Sequence, residues 1–274
     1  MCTIVLLRNV IPGHRLVIAA NRDEDFDRPS ETPRMQGNGI FAPKDMRRGG
    51  SWIGVNRSGL FVGLTNRADI KSERGKTSRG EIVMKALACK TLKEVEKYIS
   101  GLDTTEFNGF HLVVADNDNT LVFWGDKERI LANYSNEEIV AVTNFGTGAE
   151  TKEHISRIPT PKTLNFTSRV NNILNNWKGI KQGSKRDPML VSSLLNLHDF
   201  EGFTTSKFHG TCINDIENGY GTKSSSLIFL EDNYWQYHFR RRLSNNKHIC
   251  NAKWKRITVS LDKKTDSAEK NIDK

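Results

Sequence analysis

Four residues near the start of the chain could perform covalent chemistry together: Cys2, Arg22, Asp23 and Glu24. An ionised thiol is a nucleophile, a neighbouring guanidinium favours the thiolate, and a carboxylate can orient a nearby amine. Because the three charged residues lie far along the chain from Cys2, only a fold that turns the chain back on itself can bring them together.

The stretch between these residues predicts a β-hairpin. Apolar and β-branched residues over 3–7 and 16–20 indicate two strands, and Pro12-Gly13-His14 supplies turn chemistry. In antiparallel strands folded about this turn, opposite residues have numbers that sum to about 24. Cys2 is therefore predicted to lie across from Arg22, with both carboxylates at the same end of the hairpin.

Cys2 gains a second property if the initiator methionine is removed, which is usual when the second residue is small. The chain then begins with an α-amine beside its own thiol, and an amine with a pKa of about 8 can act as the general base. The alternative is that Cys2 is an ordinary second residue of a hairpin that only folds. The predicted register with Asn21-Arg22-Asp23-Glu24 favours a site.

The stretch Ala19-Ala20-Asn21-Arg22-Asp23-Glu24, followed by Arg28-Pro29, resembles the NRDE family, which is named for four of these residues. Further motifs of the resemblance follow in order: Gly49-Gly50-Ser51-Trp52-Ile53-Gly54, Gly59-Leu60, Leu64-Thr65-Asn66, Arg79-Gly80-Glu81, Asn108-Gly109-Phe110, Val142-Thr143-Asn144 and Tyr220-Gly221-Thr222-Lys223. The family includes transport and Golgi organisation proteins. The resemblance therefore implies a cytoplasmic protein, associated with the Golgi or mitochondria, that serves secretory traffic and handles haem or lipid.

The NRDE family is in turn similar to the N-terminal-nucleophile (Ntn) hydrolases with a cysteine nucleophile, such as penicillin V acylase and bile salt hydrolase. This similarity implies a catalytic set consisting of Cys2, Arg22, Asp23, Asn66 and Asn144. The asparagines would stabilise the oxyanion or position the substrate, a linear amide whose C–N bond is cleaved. The implied chemistry needs no cofactor and no metal.

Two parts of this implied site stay open. The partner of Arg22 is either Asp23 or Asp25. The similarity also implies a further basic residue late in the chain, for which Arg169 and Lys223 are the candidates.

The order of predicted elements is strands, helices, strands, helices, strands. Several strands are apolar on both faces, which favours two packed sheets covered by helices over a half-exposed sheet. The pattern alone predicts a layered α+β fold, and the resemblance implies the four-layer αββα sandwich of the Ntn hydrolases. We predict one domain over 1–261, a disordered basic tail over 262–274, and little regular structure over 25–50.

Composition limits the partners. The 274 residues carry a net charge of +9, concentrated in Arg240-Arg241-Arg242 and after Lys247. A solvated basic face explains this charge, and peripheral contact with an anionic membrane is the alternative; without a recognition motif, no nucleic-acid partner is expected. The expected partner is a small molecule or a hydrophobic ligand such as haem or lipid, although no histidine lies in a haem motif. The sequence does not predict the oligomeric state.

The four cysteines, Cys2, Cys89, Cys212 and Cys250, form no CxxC pair, so no zinc site is predicted. Few cysteines in a chain of this length indicate a reducing compartment. We expect Cys89 to be buried in a helix, Cys212 to be buried in a strand and Cys250 to be exposed.

Overall fold

The computed structural model describes residues 2–125, 129–147, 161–182, 188–197, 210–243 and 249–262, which form two seven-stranded sheets packed with helices. In chain order the strands are β1 (Cys2–Ile11), β2 (His14–Asp25), β3 (Ser30–Met35), β4 (Ile40–Asp45), β5 (Ile53–Asn56), β6 (Phe61–Asn66), β7 (Phe110–Ala115), β8 (Thr120–Gly125), β9 (Leu131–Asn133), β10 (Ile139–Val142), β11 (Asn214–Asp215), β12 (Tyr220–Leu230), β13 (Tyr234–Arg241) and β14 (Lys255–Ser260). The α-helices are α1 (Gly80–Leu87), α2 (Leu92–Ser100) and α3 (Pro161–Gln182), and Thr104–Glu106, Pro188–Leu195 and Ile249–Asn251 are 3-10 helices.

The first sheet has the order β10-β1-β2-β12-β13-β14, with β11 paired to β12, and the second has the order β3-β4-β5-β6-β7-β8-β9. The predicted hairpin is confirmed in its register, because Cys2 pairs with Arg22 and Thr3 pairs with Asn21. The hairpin lies inside its sheet, where β1 also pairs with β10 and β2 also pairs with β12.

Three apolar clusters hold the sheets and helices together. The first lies between the sheets and joins residues such as Ile4 and Ile18 to Phe61 and Val122. The second packs α1 and α2 on the second sheet, and the third packs α3 and the 3-10 helix Pro188–Leu195 on the first sheet. These clusters fit a mixed fold in which both faces of each hairpin strand are buried, as the apolar runs predicted.

The segment 25–50 contradicts its prediction, because it contains β3 and β4. The prolines in this segment argued against strands, but each lies where a strand tolerates it. β3 is an edge strand, and Pro43 of β4 lies at a shift in the β3–β4 register, where it has no partner residue. This difference matters for the site, since β4 ends at Asp45.

The late helical segments are α3, which is 22 residues long, and the 3-10 helix Pro188–Leu195. Asp262, the first residue of the predicted tail, contacts Arg57: its N–H donates to the Arg57 carbonyl at 2.7 Å, and its carboxylate lies 3.1 Å from Arg57 Nε. The rest of the predicted tail, 263–274, lies outside the described residues.

Candidate functional site

A cleft of about 610 Å³ opens at the end of the hairpin where the chain begins. Its lining includes Cys2, Arg22, Trp52, Leu64, Asn66 and Arg79. The cleft therefore brings together a thiol, two guanidinium groups and an amide from segments far apart in the sequence.

Residues along the hairpin alternate between two environments, and this alternation divides the predicted site. Side chains of even-numbered residues such as Ile4 and Ile18 pack between the sheets, whereas those of odd-numbered residues such as Val5 and Val17 pack under α3. Cys2 and Arg22 continue the first face, and Asp23 continues the second. The carboxylate of Asp23 thus shares the hairpin end with the thiol but lies on the opposite face of the sheet.

The Arg22 side chain is held by the second sheet. Its Nη2 lies 2.9 Å from Asp45 Oδ2 and 3.4 Å from Glu24 Oε2, and its guanidinium stacks 4.4 Å above the Trp52 ring. Only 4% of this side chain is exposed, so these contacts fix its position. The ion pair with Asp45 links β2 in one sheet to β4 in the other.

Asp45 is the residue that sequence reasoning missed most clearly. Its Oδ2 also accepts from Arg28 Nε at 2.8 Å, and its Oδ1 accepts from the backbone N–H groups of Arg47 and Arg48 at 3.1 and 3.0 Å. Burial alone raises the pKa of Asp45, but the bond from Arg28, the backbone N–H of Arg48 and the charges of Arg28 and Arg22 lower it below its ordinary value. No motif marks Asp45, and only the pairing of distant strands reveals it.

The Asp23 carboxylate is enclosed below the hairpin. Its Oδ1 accepts from Thr222 Oγ1 at 2.6 Å, and its Oδ2 lies 3.7 Å from Arg169 Nη1, with both side chains fully buried. Arg169 also donates to Thr3 Oγ1 at 3.4 Å. Of the two candidates for the late basic residue, Arg169 therefore contacts the predicted site residues, although through Asp23 and not through the cleft.

The other candidates lie elsewhere. Lys223 donates to the carbonyls of Phe26 and Arg28 at 2.7 and 2.6 Å and so fastens the segment after β2. Asp25 is exposed and is absent from the cleft lining. In the described ranges the carboxylates that contact Arg22 belong to Asp45 and Glu24, whereas the Asp23 carboxylate contacts Arg169 on the other face of the sheet.

The two predicted asparagines converge on the start of β1. Asn144 Oδ1 accepts from the Cys2 backbone nitrogen at 2.7 Å, and Asn144 Nδ2 donates to the Asn66 carbonyl at 2.5 Å. Because one partner is a donor and the other an acceptor, they fix which way the amide points. The Asn66 side chain, in contrast, lies exposed on the cleft and has no hydrogen-bond partner among the described residues.

The thiol itself is half-buried. Burial raises the pKa of Cys2, the Asp23 charge raises it further, and the α-ammonium at the start of the chain, the Arg22 guanidinium and a hydrogen bond from the Asp23 backbone lower it. The predicted influence of Arg22 therefore has the expected direction, but burial outweighs it and the pKa lies above its ordinary value.

Other cysteines differ in part from their predicted environments. Cys212 is buried, as expected, but lies in a bend before β11. Cys89 is half-buried just beyond α1, and Cys250 is half-buried in the 3-10 helix Ile249–Asn251.

Two further features are absent from the described ranges. None of the helices there has the length and apolar content needed to span a bilayer. No group of His, Cys, Asp and Glu side chains in those same ranges could bind a metal ion.

The fold is similar to that of the Ntn hydrolases. Two structures of variants of the conjugated bile acid hydrolase from Clostridium perfringens superpose on the chain with TM-scores of 0.53 and 0.55, at 13% and 14% identity. The superpositions cover 94% and 96% of this chain and 96% and 99% of that enzyme. At such low identity the likeness establishes the fold alone.

The family model of Transport and Golgi organisation 2 matches residues 1–246, and the chain belongs to this family. The mouse (Mus musculus) Transport and Golgi organization 2 homolog and its human (Homo sapiens) counterpart are each 34% identical to it over 111 residues. The matched segment is 38% of this chain and 40% of each relative, so the chain covers well under half the length of these curated relatives. The resemblance drawn from the motifs is confirmed at the level of the family.

Proposed function

We propose that the chain is an amidohydrolase in which Cys2, exposed by removal of Met1, attacks a linear amide. The observation that supports this most is the 2.7 Å contact between the Cys2 nitrogen and Asn144 Oδ1, beside a thiol that lines an open cleft. That nitrogen is the atom that becomes the α-amine, and an acceptor placed on it orients its lone pair. The four-layer αββα arrangement belongs to the same proposal, and the helical clusters on both sheets support it.

The proposed reaction has two steps. The α-amine takes the thiol proton, the sulfur bonds to the carbonyl carbon, and the C–N bond breaks as the leaving amine receives that proton. Water then hydrolyses the thioester, which releases a carboxylic acid and restores the thiol. No step calls for a metal or an electron acceptor.

Each predicted site residue has a proposed part in this reaction. Asn66, whose side-chain amide has no partner in the described ranges, stabilises the oxyanion. Asn144 is already engaged at both ends of its amide, so it holds the amine of Cys2 rather than the oxyanion. Arg22 favours the thiolate. The backbone N–H of Asp23 donates to the thiol, and its buried carboxylate holds the end of β2 in place through Thr222 and Arg169.

A second candidate function is a part in transport and Golgi organisation, the role that the names of the relatives carry. Family membership favours this transport role, which is compatible with hydrolysis of an amide but does not require it. In this role the cleft holds a ligand such as haem or a lipid, with Trp52 and Leu64 as apolar contacts, in a cytoplasmic protein that touches the membranes of the Golgi or mitochondria.

One experiment separates the two functions. The protein is purified from its own host, and its intact mass and N-terminal sequence establish whether Met1 has been removed and whether a ligand remains bound. A panel of N-acyl amides is then assayed with the wild type, Cys2→Ala and the matched control Cys250→Ala. Hydrolysis that survives in Cys250→Ala and disappears in Cys2→Ala supports the enzyme. A retained Met1 with a bound haem or lipid supports the carrier instead.

A further inference from the structure

The positive charge of Arg22 is largely matched by neighbouring carboxylates. Asp45 and Glu24 each contact Arg22, and Arg28 contacts the same two carboxylates at 2.8 and 3.3 Å. Two guanidinium groups and two carboxylates thus form one cluster whose charges balance. The field that Arg22 alone would exert on the Cys2 thiol is weakened by this cluster.

Arg79 lines the same cleft but is not balanced in this way. Its Nη1 donates to the Gly109 carbonyl at 2.9 Å, and no carboxylate lies within ion-pair distance of it in the described ranges. A guanidinium stays charged at any pH a protein tolerates. The cleft therefore contains a half-buried positive charge whose contact is a neutral carbonyl.

The backbone fixes Arg79 in this position. Arg79 immediately precedes α1, and Gly80 packs directly on Gly50: a Cβ at Gly50 would lie 2.5 Å from the Gly80 carbonyl carbon. The Ser51 N–H also donates to the Gly80 carbonyl at 3.3 Å. The contact between these glycines holds the start of α1 against the loop after β4, and Arg79 is thereby directed to the cleft.

The charges around Arg79 and Cys2 come from three segments. Burial has the largest effect on the pKa of Arg79 and lowers it. Among the neighbouring charges, a thiolate on Cys2 has the largest effect and raises this pKa; Arg28 lowers it and Glu24 raises it by smaller amounts. Around Cys2 the charged groups are Arg22 and Asp23 on β2, the α-ammonium and Arg79. Of the two guanidinium groups in this set, Arg79 is the one that has no carboxylate partner in the described ranges.

We propose that Arg79 supplies the uncompensated positive charge at the Cys2 end of the cleft, where it stabilises the thiolate and draws anionic reagents to the sulfur. This inference rests on the proposed function of Cys2 as the nucleophile. It adds Arg79 to the role that sequence reasoning gave to Arg22 alone.

The test measures the alkylation of Cys2 in the full-length chain, by peptide mapping, for wild type, Arg79→Gln and Arg79→Lys. Iodoacetamide across a range of pH gives the thiol pKa, and the ratio of iodoacetate to iodoacetamide rates at neutral pH reports local positive charge. The matched control is Arg47→Gln, which removes a cleft cation that is paired with Asp27 at 3.4 Å. Labelling of Cys250 in each variant checks that the fold is intact.

In Arg79→Gln we expect the thiol pKa to rise by about one unit, which is within the usual effect of a nearby charge. Thiolate then becomes about tenfold scarcer at neutral pH but about threefold more nucleophilic, so iodoacetamide labelling slows about threefold. Iodoacetate labelling should slow further, because the attraction is lost. Arg79→Lys and Arg47→Gln should both stay near the wild type.

The proposal is overturned if Arg79→Gln leaves the pKa and the reagent ratio unchanged while Cys2 still labels fastest. It is also overturned if Arg79→Lys and Arg79→Gln change both values equally, since charge is then not the cause. If Cys2 of the wild type labels no faster than Cys250, the proposed function of Cys2 as the nucleophile is wrong. This result differs from the two that would overturn the role of Arg79 alone.

Discussion

Asn144 connects the nitrogen of Cys2 to the carbonyl of Asn66, and so joins β1 of one sheet to β6 of the other. Its side chain is the bridge between the proposed nucleophile and the proposed oxyanion donor. The two asparagines therefore differ: both ends of the Asn144 amide are hydrogen-bonded, whereas the Asn66 amide has no partner among the described residues.

Asn144→Ala should reduce both stability and activity, whereas Asn66→Ala should reduce activity alone. The first change leaves a part-buried donor and a part-buried acceptor unpaired, at a cost of at most about 1–3 kcal/mol each. The second removes an exposed amide that has no hydrogen-bond partner in the described part of the chain. Urea unfolding and amide hydrolysis are measured for both variants. Equal stability losses would contradict this division of roles.

Asp45→Asn should destabilise the protein by about 3 kcal/mol at neutral pH, because it removes the nearer carboxylate of the buried Arg22 and leaves, among the described residues, only Glu24 at 3.4 Å. The control Asp27→Asn removes an exposed partner of Arg47 and should cost at most about 1 kcal/mol. Urea unfolding of both variants measures the difference.

The ion pair between Asp45 and Arg22 also makes the stability of the protein depend on pH. Because the folded pKa of Asp45 is lowered, its stabilisation is present above the ordinary carboxyl pKa of about 4 and is lost as the pH falls through the lower folded value. The stability difference between wild type and Asp45→Asn should therefore shrink in acid. A difference that stays constant down to the acid transition would show that the carboxylate charge is not what stabilises the site.

Gly50→Ala should be more damaging than Gly59→Ala by about 1–3 kcal/mol. Both glycines have positive φ, +69° at Gly50 and +91° at Gly59, so alanine is strained at either position. Only at Gly50 does the new methyl group meet the Gly80 backbone, whereas at Gly59 it meets nothing within 4 Å. Thermal unfolding of the two variants isolates the contact, and equal losses would mean that the loop and α1 separate easily.

The four cysteines should differ in reactivity, with Cys2 fastest once Met1 is removed. Cys212 should be slowest, because burial raises its pKa to about 12, and Cys89 is slowed by burial and by the charge of Glu94. Limited alkylation at neutral pH followed by peptide mapping gives the order. We also expect Cys2 to label several-fold more slowly in chains that retain Met1, since its amine is then part of a peptide bond.

Local pattern predicted the hairpin because both its strands and its turn are contiguous in sequence, and simple arithmetic then placed Cys2 opposite Arg22. The same reasoning placed Asp23 beside the thiol, whereas strand alternation turns its carboxylate toward α3. Asp45 and Arg79 could not be predicted as neighbours of the site. The first depends on a strand interrupted by proline, and the second depends on two glycines meeting across a long sequence separation.

The central place of the hairpin in its sheet has a consequence for how the protein is made. β1 and β2 leave the ribosome well before their outer partners, Ile139–Val142 and Tyr220–Leu230, are translated. At about 5–20 residues per second, the last of these arrives roughly 10 to 45 seconds after the first strand. Until then both edges of an apolar hairpin are unpaired and open to association with other chains. The sheet that holds Cys2 and Arg22 is therefore completed only after β12 has been translated, and the nascent chain exposes an association-prone hairpin until then.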